Sequence, residues 1–140
     1  MSLVSYAAKL AIKPKGPVEE AIFEHIWQQT PIETVLAALM KADVFLYAQP
    51  SDGPDPKPLA MAGDDGKPMM LLFTTRERAA SIAKQLPPGS SDGMTQPFKD
   101  VLRWAPIELG MAINSGSALA AECTAAHLDA LRKQAGIFRP

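Results

Sequence analysis

The stretch Leu59-Ala60-Met61-Ala62-Gly63-Asp64-Asp65-Gly66-Lys67-Pro68-Met69-Met70-Leu71-Leu72-Phe73-Thr74 decides the fold. Two strand-like runs, Leu59 to Ala62 and Lys67 to Thr74, flank Gly63-Asp64-Asp65-Gly66. An Asp-Gly pair between such runs marks an antiparallel β-hairpin. Met69 to Phe73 is apolar at every position. A strand without alternation has no face meant for water, so it is assigned to the centre of a sheet covered on both sides.

Downstream, the period becomes helical. Thr74 or Thr75 is the N-cap, with Glu77 placed as capping-box partner to Thr74, and Ala79, Ile82, Ala83 and Leu86 form the buried stripe. Pro87 and Pro88 end this helix, and Gly89 to Gln96 reads as a polar loop. Pro97 opens a short helix carrying Phe98, Val101 and Leu102. Ile107, Leu109, Met111 and Ile113 alternate with Glu108, Gly110, Ala112 and Asn114, a strand with one strongly apolar face. Asn114-Ser115-Gly116-Ser117 turns the chain. Ala118 to Glu122 fits either a short strand or a first helical turn. A last helix runs from the Thr124 cap to Ala135, with Gly136 at the left-handed C-terminal position.

Upstream lies a strand, Asp43 to Ala48, again apolar on both faces and rich in aromatic and β-branched residues. Pro50 to Pro58 is a proline-rich loop. Before it come three helical segments. Leu3, Val4, Ala7, Leu10 and Ala11 set the first, stopped by Pro14 and Gly16. In the second, Val18, Ile22, Phe23, Ile26 and Trp27 share one face, opposite Glu19, Glu20, Glu24 and Gln28. The third begins with Thr30 as N-cap, Pro31 at the first position and Glu33 as capping-box partner. The class is therefore α+β: a mixed sheet of about four to five strands with an antiparallel hairpin, packed with N-terminal helices and a C-terminal helix. The 140 residues read as a single domain with its core over 18–135.

Several functions are disfavoured by composition. Fourteen Lys and Arg against fifteen Asp and Glu leave a net charge of −1. Nucleic-acid binding needs a basic footprint to neutralise phosphates, and neither the total nor any local run supplies one. No apolar stretch reaches the length that spans a bilayer, so no membrane is expected. Met1 to Ile12 lacks a basic leading region and carries Lys9 within its apolar part, so it does not read as a signal peptide. The lone Cys123 excludes an internal disulfide and a cysteine-rich zinc site, and fits a reducing, cytoplasmic interior.

Taken together, these segments resemble the N-terminal domain of the SseB family, the bacterial "enhanced serine sensitivity" proteins. The likeness rests on Phe45-Leu46-Tyr47 before a proline-rich loop, on Asp65-Gly66-Lys67-Pro68 leading into Leu71-Leu72-Phe73-Thr74-Thr75-Arg76-Glu77-Arg78, and on Met111-Ala112-Ile113-Asn114-Ser115-Gly116-Ser117 before a final helix. It covers most of residues 18–135. Ser115 stands where the family pattern usually has proline, which leaves the turn less rigid. The second domain of many family members has no counterpart in these residues. None of the shared motifs is catalytic, and the resemblance implies no defined reaction. The name is shared with an unrelated secretion-system component, whose role the resemblance does not imply.

No motif specifies chemistry. Cys123 and His127 are four apart, but Thr124 as cap puts Cys123 outside the helix, and only Glu122 or Asp129 could add a ligand, so no metal is assigned. Ser115 and Ser117 flank Gly116 without the elbow that presents a nucleophilic serine. There is no glycine-rich phosphate cradle and no twelve-residue calcium loop, so no cofactor is expected. Arg76 and Arg78 stand out because they occupy a helix's first turn, where the macrodipole disfavours cations. They ask for an anion, either a ligand or an acidic neighbour. Two readings follow. One is a non-catalytic protein-interaction or regulatory module, with a second copy or another protein as partner, motivated by seven methionines and a broad apolar face over 18–27. The other is a small-molecule domain for an anion or amino acid, with a site at Arg76, Arg78, Asn114, Gly116 and Ser117 if the two strand ends lie side by side.

Overall fold

The computed structural model describes residues 3–49, 57–63, 65–86 and 92–137. Three helices come first: α1 (Leu3–Ile12), α2 (Gly16–Trp27) and α3 (Ile32–Leu39). They are followed by β1 (Asp43–Leu46), β2 (Ala48–Gln49), β3 (Lys57–Pro58), β4 (Ala60–Ala62) and β5 (Pro68–Leu72). The chain then forms α4 (Arg76–Ala83), β6 (Met94–Pro97), α5 (Phe98–Trp104), β7 (Gly110–Ile113), β8 (Ala121–Cys123) and α6 (Ala125–Ala135). The fold is α+β.

The main sheet has the order β4-β5-β7-β8. The hairpin pairs β4 with β5 antiparallel, Ala60 opposite Met70 and Ala62 opposite Pro68. On its other side β5 runs parallel to β7, with Leu72 opposite Ile113. Parallel neighbours need a long crossover, here the segment from α4 through α5. β8 closes the sheet antiparallel to β7. Two short pairs, β1–β6 and β2–β3, complete the strands. They are stitched to the main sheet by reciprocal backbone bonds between Phe45 and Phe73, 2.7 and 2.8 Å, and by Leu71 N–H donating to the Leu59 carbonyl at 2.9 Å.

The unbroken apolar run of β5 has the cause its sequence suggests. Met70 and Leu72 point into the larger core with Ile22, Phe23, Leu39, Phe98 and Leu128, while Leu71 and Phe73 point into a second cluster with Phe45, Tyr47 and Ala79 of α4. In β7, Met111 and Ile113 join the first and Ala112 the second. Helices therefore cover both faces, and each fully buried Leu, Met or Phe contributes roughly 1.5–3 kcal/mol.

Four local expectations are corrected. Met94 to Gln96, read as loop, and Pro97, read as the opening of the next helix, form a strand held against β1 from Asp43↔Pro97 to Leu46↔Met94. Its sparse hydrophobicity fits a position where Thr95 and Pro97 are exposed, and what recruits it is the open edge of β1. Ile107 is 55% exposed and lies in the turn before β7, which starts only at Gly110. At the start of α3 the cap position falls on Pro31, without a side-chain bond, and the Thr30 hydroxyl is buried with no partner. The helical wheel of α2 is also revised: Glu19, assigned to the polar face, is completely buried, whereas Ile26 and Trp27 are 41% and 39% exposed. The ambiguous 118–122 segment resolves into a turn followed by β8, and Asp64 and 87–90 of the anticipated turn and helix stop lie outside the described residues.

Candidate functional site

Because β5 and β7 are parallel neighbours, their C-terminal ends lie side by side and bring Thr74 next to Asn114. Asn114 N–H donates to the Leu72 carbonyl at 2.9 Å, which extends the ladder one step beyond the strand. The chain then turns through a left-handed Asn114, φ 56°, a conformation asparagine tolerates better than most residues. Its side chain is fully buried and locally satisfied. Asn114 Oδ1 accepts from Thr74 N–H at 2.9 Å, and Nδ2 donates to the Leu119 carbonyl at 3.2 Å and to Thr74 Oγ1 at 3.0 Å.

Thr74 passes the network on. A threonine hydroxyl has one hydrogen. Here it goes to Glu19 Oε2 at 2.5 Å, which leaves the same oxygen free to accept from Asn114. Glu19 sits in the first turn of α2, so its carboxylate faces the positive end of that helix. Oε1 accepts from the Lys15 backbone N–H at 2.9 Å and from Arg78 Nη2 at 2.8 Å; Oε2 accepts from Thr74 and from Arg78 Nε at 3.0 Å. Both oxygens thus hold two donors each, the full complement of a carboxylate. Burial pushes the Glu19 carboxyl up, but the bonds from Arg78, Thr74 and Lys15, with the charge of Arg78, outweigh it and hold the group below the ordinary carboxylate range. The bond to Glu19 in turn raises Arg78, against a smaller opposing effect of its own partial burial.

The cap of α4 is Thr75, whose Oγ1 accepts from Arg78 N–H at 3.2 Å. Thr74, the alternative, is occupied by the buried network. Arg78 therefore has an acidic neighbour, contributed by α2 on the far side of the sheet end. Arg76 takes a different course: exposed, it lies 4.8 Å above the Phe45 ring and donates from Nη1 to the Asp92 carbonyl at 3.5 Å. Gly93, at φ 99°, packs so closely under Phe45 that a Cβ there would lie 2.2 Å from the ring. Ser117 closes the turn, its N–H donating to the Asn114 carbonyl and its Oγ accepting from Leu119 N–H. Gly116 is exposed at φ 86°. Of the anticipated site, the structure joins Arg78 and Asn114 through Thr74 and Glu19, and leaves Arg76 on the surface beside Phe45.

The SseB protein N-terminal domain model matches residues 18–130, well over half of the chain. The chain belongs to the SseB family. No curated protein and no solved structure matches it. The matched residues of this SseB chain include the four side chains of the buried network, Glu19, Thr74, Arg78 and Asn114.

Elsewhere, a half-open groove of about 550 Å³ is lined by Lys67, Met69, Glu108, Gly110, Glu122 and His127 at the opposite end of the sheet. His127 Nδ1 serves the Thr124 capping box of α6, and Cys123 is buried, its thiol pushed up to about 12 by desolvation against a smaller opposing bond from the Met111 backbone. Among the described residues no group of three or more His, Cys, Asp or Glu could hold a metal, and no helix is long and apolar enough to cross a membrane.

Helix α1 precedes the matched residues 18–130. It is apolar on the wrong side. Its one fully buried residue is Ser5, and Ala8 and Ile12 pack partly on the core. Leu3 is 83% exposed, Leu10 59%, Val4 67% and Tyr6 56%. Ser5 Oγ donates to the Trp27 carbonyl at 3.5 Å, which sets the start of α1 beside the end of α2, where Ile26 and Trp27 are also open. A helical period identifies an apolar face without saying what covers it.

Proposed function

We propose that this SseB-family chain is a non-catalytic protein-interaction or regulatory module that works through the outward face of α1, the helix that precedes the matched domain. The observation that carries this reading is the inversion of that helix. Leu3, Tyr6, Ala7 and Leu10 repeat at i, i+3, i+4 and i+7, the spacing of a helix face that packs on another apolar surface. In this chain they face outward, and the domain is packed instead by Ser5, Ala8 and Ile12. Single exposed apolar residues are ordinary, but a whole helical stripe of them marks an interaction surface.

The buried network supports the same preference over a small-molecule domain. A ligand at the Thr74–Asn114 junction would need donors to spare. Asn114 spends both amide hydrogens on Thr74 and Leu119, and the charge of Arg78 is already met by Glu19 through Nε and Nη2. The cluster ties α2, β5, α4 and the turn after β7 into one unit, which suits a rigid platform for a docking helix.

The test compares the wild-type chain with a Leu3→Asp/Leu10→Asp variant in self-association and in binding to a candidate protein partner, each measured with purified components. An association present in the wild type and abolished in the variant, with the thermal midpoint retained, is the expected result. Absence of any association that depends on this face overturns the reading.

A further inference from the structure

We infer that the surface covering the α1 face is the same face of a second copy of this chain, the two α1 helices crossing antiparallel about Ala7. This rests on the interaction reading above and names its partner.

Three observations favour a second copy. The first is the absence of charge: Leu3, Val4, Tyr6, Ala7, Leu10 and Ala11 occupy the exposed side, while Lys9, the one charged residue of α1, lies half-buried on the other. Charged residues at an interface steer a particular partner and reject others. A face with none gives a foreign partner nothing to read, yet brings no repulsion when it meets itself, and the net charge of −1 per chain adds little. The second is the arrangement of sizes. Small Ala7 sits between Leu3 and Leu10 along the stripe, so two helices can approach closely at that point and each copy's Leu3 falls beside Leu10 and Ala11 of the other. That is the self-complementarity an isologous contact requires, with the residue on the two-fold axis meeting itself. The third is extent. Leu3, Val4, Tyr6 and Leu10 are each more than half exposed along the length of α1, and Ile26 and Trp27, also exposed, lie at the end of α2 that the Ser5–Trp27 contact sets beside α1. A run of apolar residues of this length, and not a single one, is what a helix-to-helix contact between two copies needs to bury.

A lipid surface is the other taker for an apolar helix face. Interfacial helices carry Lys and Arg along their polar side to meet anionic headgroups. The ten residues of α1 hold one lysine, and it is half-buried. The balance favours protein.

The experiment has three arms. Sedimentation equilibrium of the wild-type chain should show a concentration-dependent dimer, and Leu10→Glu should shift it to monomer with an unchanged or higher thermal midpoint. Ala7→Cys, under mild oxidation, should form a disulfide-linked dimer in high yield, while Ala126→Cys on the exposed side of α6 should not; the native Cys123 is buried and does not compete. Vesicles of phosphatidylcholine with phosphatidylserine should leave the protein in the supernatant. A monomeric wild type without the Ala7→Cys link overturns the second-copy assignment, as does a dimer that survives Leu10→Glu, or vesicle binding that Leu10→Glu removes. If the monomer instead binds a different purified protein through this face, only the second copy is refuted; if it binds none, the interaction reading falls with it.

Discussion

The guanidinium of Arg78 forks onto the carboxylate of Glu19 across 59 residues of sequence, with Nε 3.0 Å from Oε2 and Nη2 2.8 Å from Oε1. The acid is buried, its side chain 1% exposed, while the base keeps 26%. Removing one partner should therefore be asymmetric. Arg78→Met strands a buried carboxylate and is expected to cost roughly 3–4 kcal/mol, whereas Glu19→Gln leaves a cation that can still reach water and should cost about 2 kcal/mol. The double variant Glu19→Gln/Arg78→Met should cost less than the sum, because no uncompensated charge remains. Urea unfolding of the three variants gives the coupling. Additivity would show that the pair does not act as a unit.

The same carboxyl makes stability depend on pH. Its folded value lies below the ordinary one, so the unfolded chain binds the proton more readily than the native state. The contribution of Glu19 is then fully present above its unfolded pKa of about 4.3 and is lost as pH falls through the folded value. Urea midpoints of the wild type should drop on acidification below about pH 5. Glu19→Gln should flatten that part of the profile. Parallel profiles for the two proteins would place the acid sensitivity elsewhere.

How far the fold was legible follows from where its signals are local. The hairpin, the central, doubly covered position of β5 and the Gly136 cap all rest on adjacent residues, and they read correctly. Glu19 did not, because a helical wheel sorts residues by polarity and cannot show that a glutamate on the charged side faces Thr74 and Arg78 from another element. One clue existed: Arg78 in the first turn of a helix requires an anion, though not one from α2 in particular. Helix α1 was placed correctly over Leu3–Ile12, but what covers it was not legible. Its periodicity was real, yet the face it marks points away from the core. β6 was silent because strand pairing with β1, and not its own composition, holds it.

At Asn114 the backbone and the side chain can be separated experimentally. Asn114→Gly accepts the left-handed φ of 56° but forfeits the bonds to Thr74 and Leu119; Asn114→Ala loses the bonds and adds backbone strain. Lost bonds in a buried site should cost about 2–3 kcal/mol, and the strain about 1 kcal/mol more. Thermal or urea unfolding should therefore rank wild type above Asn114→Gly and Asn114→Ala last. If alanine proved as stable as glycine, the left-handed turn would not be a constraint on this position.

Cys123 offers a readout of the sheet's integrity that needs no mutation. It lies on β8 opposite Met111, 3% exposed, with its thiol raised to about 12 by burial. The thiolate is the reactive form, so both access and ionisation oppose modification in the folded chain. Iodoacetamide at about pH 8 should label it far more slowly than a free thiol of pKa ~8.5, and at the full rate in concentrated urea. Because β8 is a short edge strand, the labelling rate tracks its opening from β7. Protection close to that of global unfolding would mean that β8 detaches only with the whole sheet. Protection several kcal/mol lower would mean that the edge frays by itself. Prompt labelling of the native protein would contradict the buried placement of the side chain.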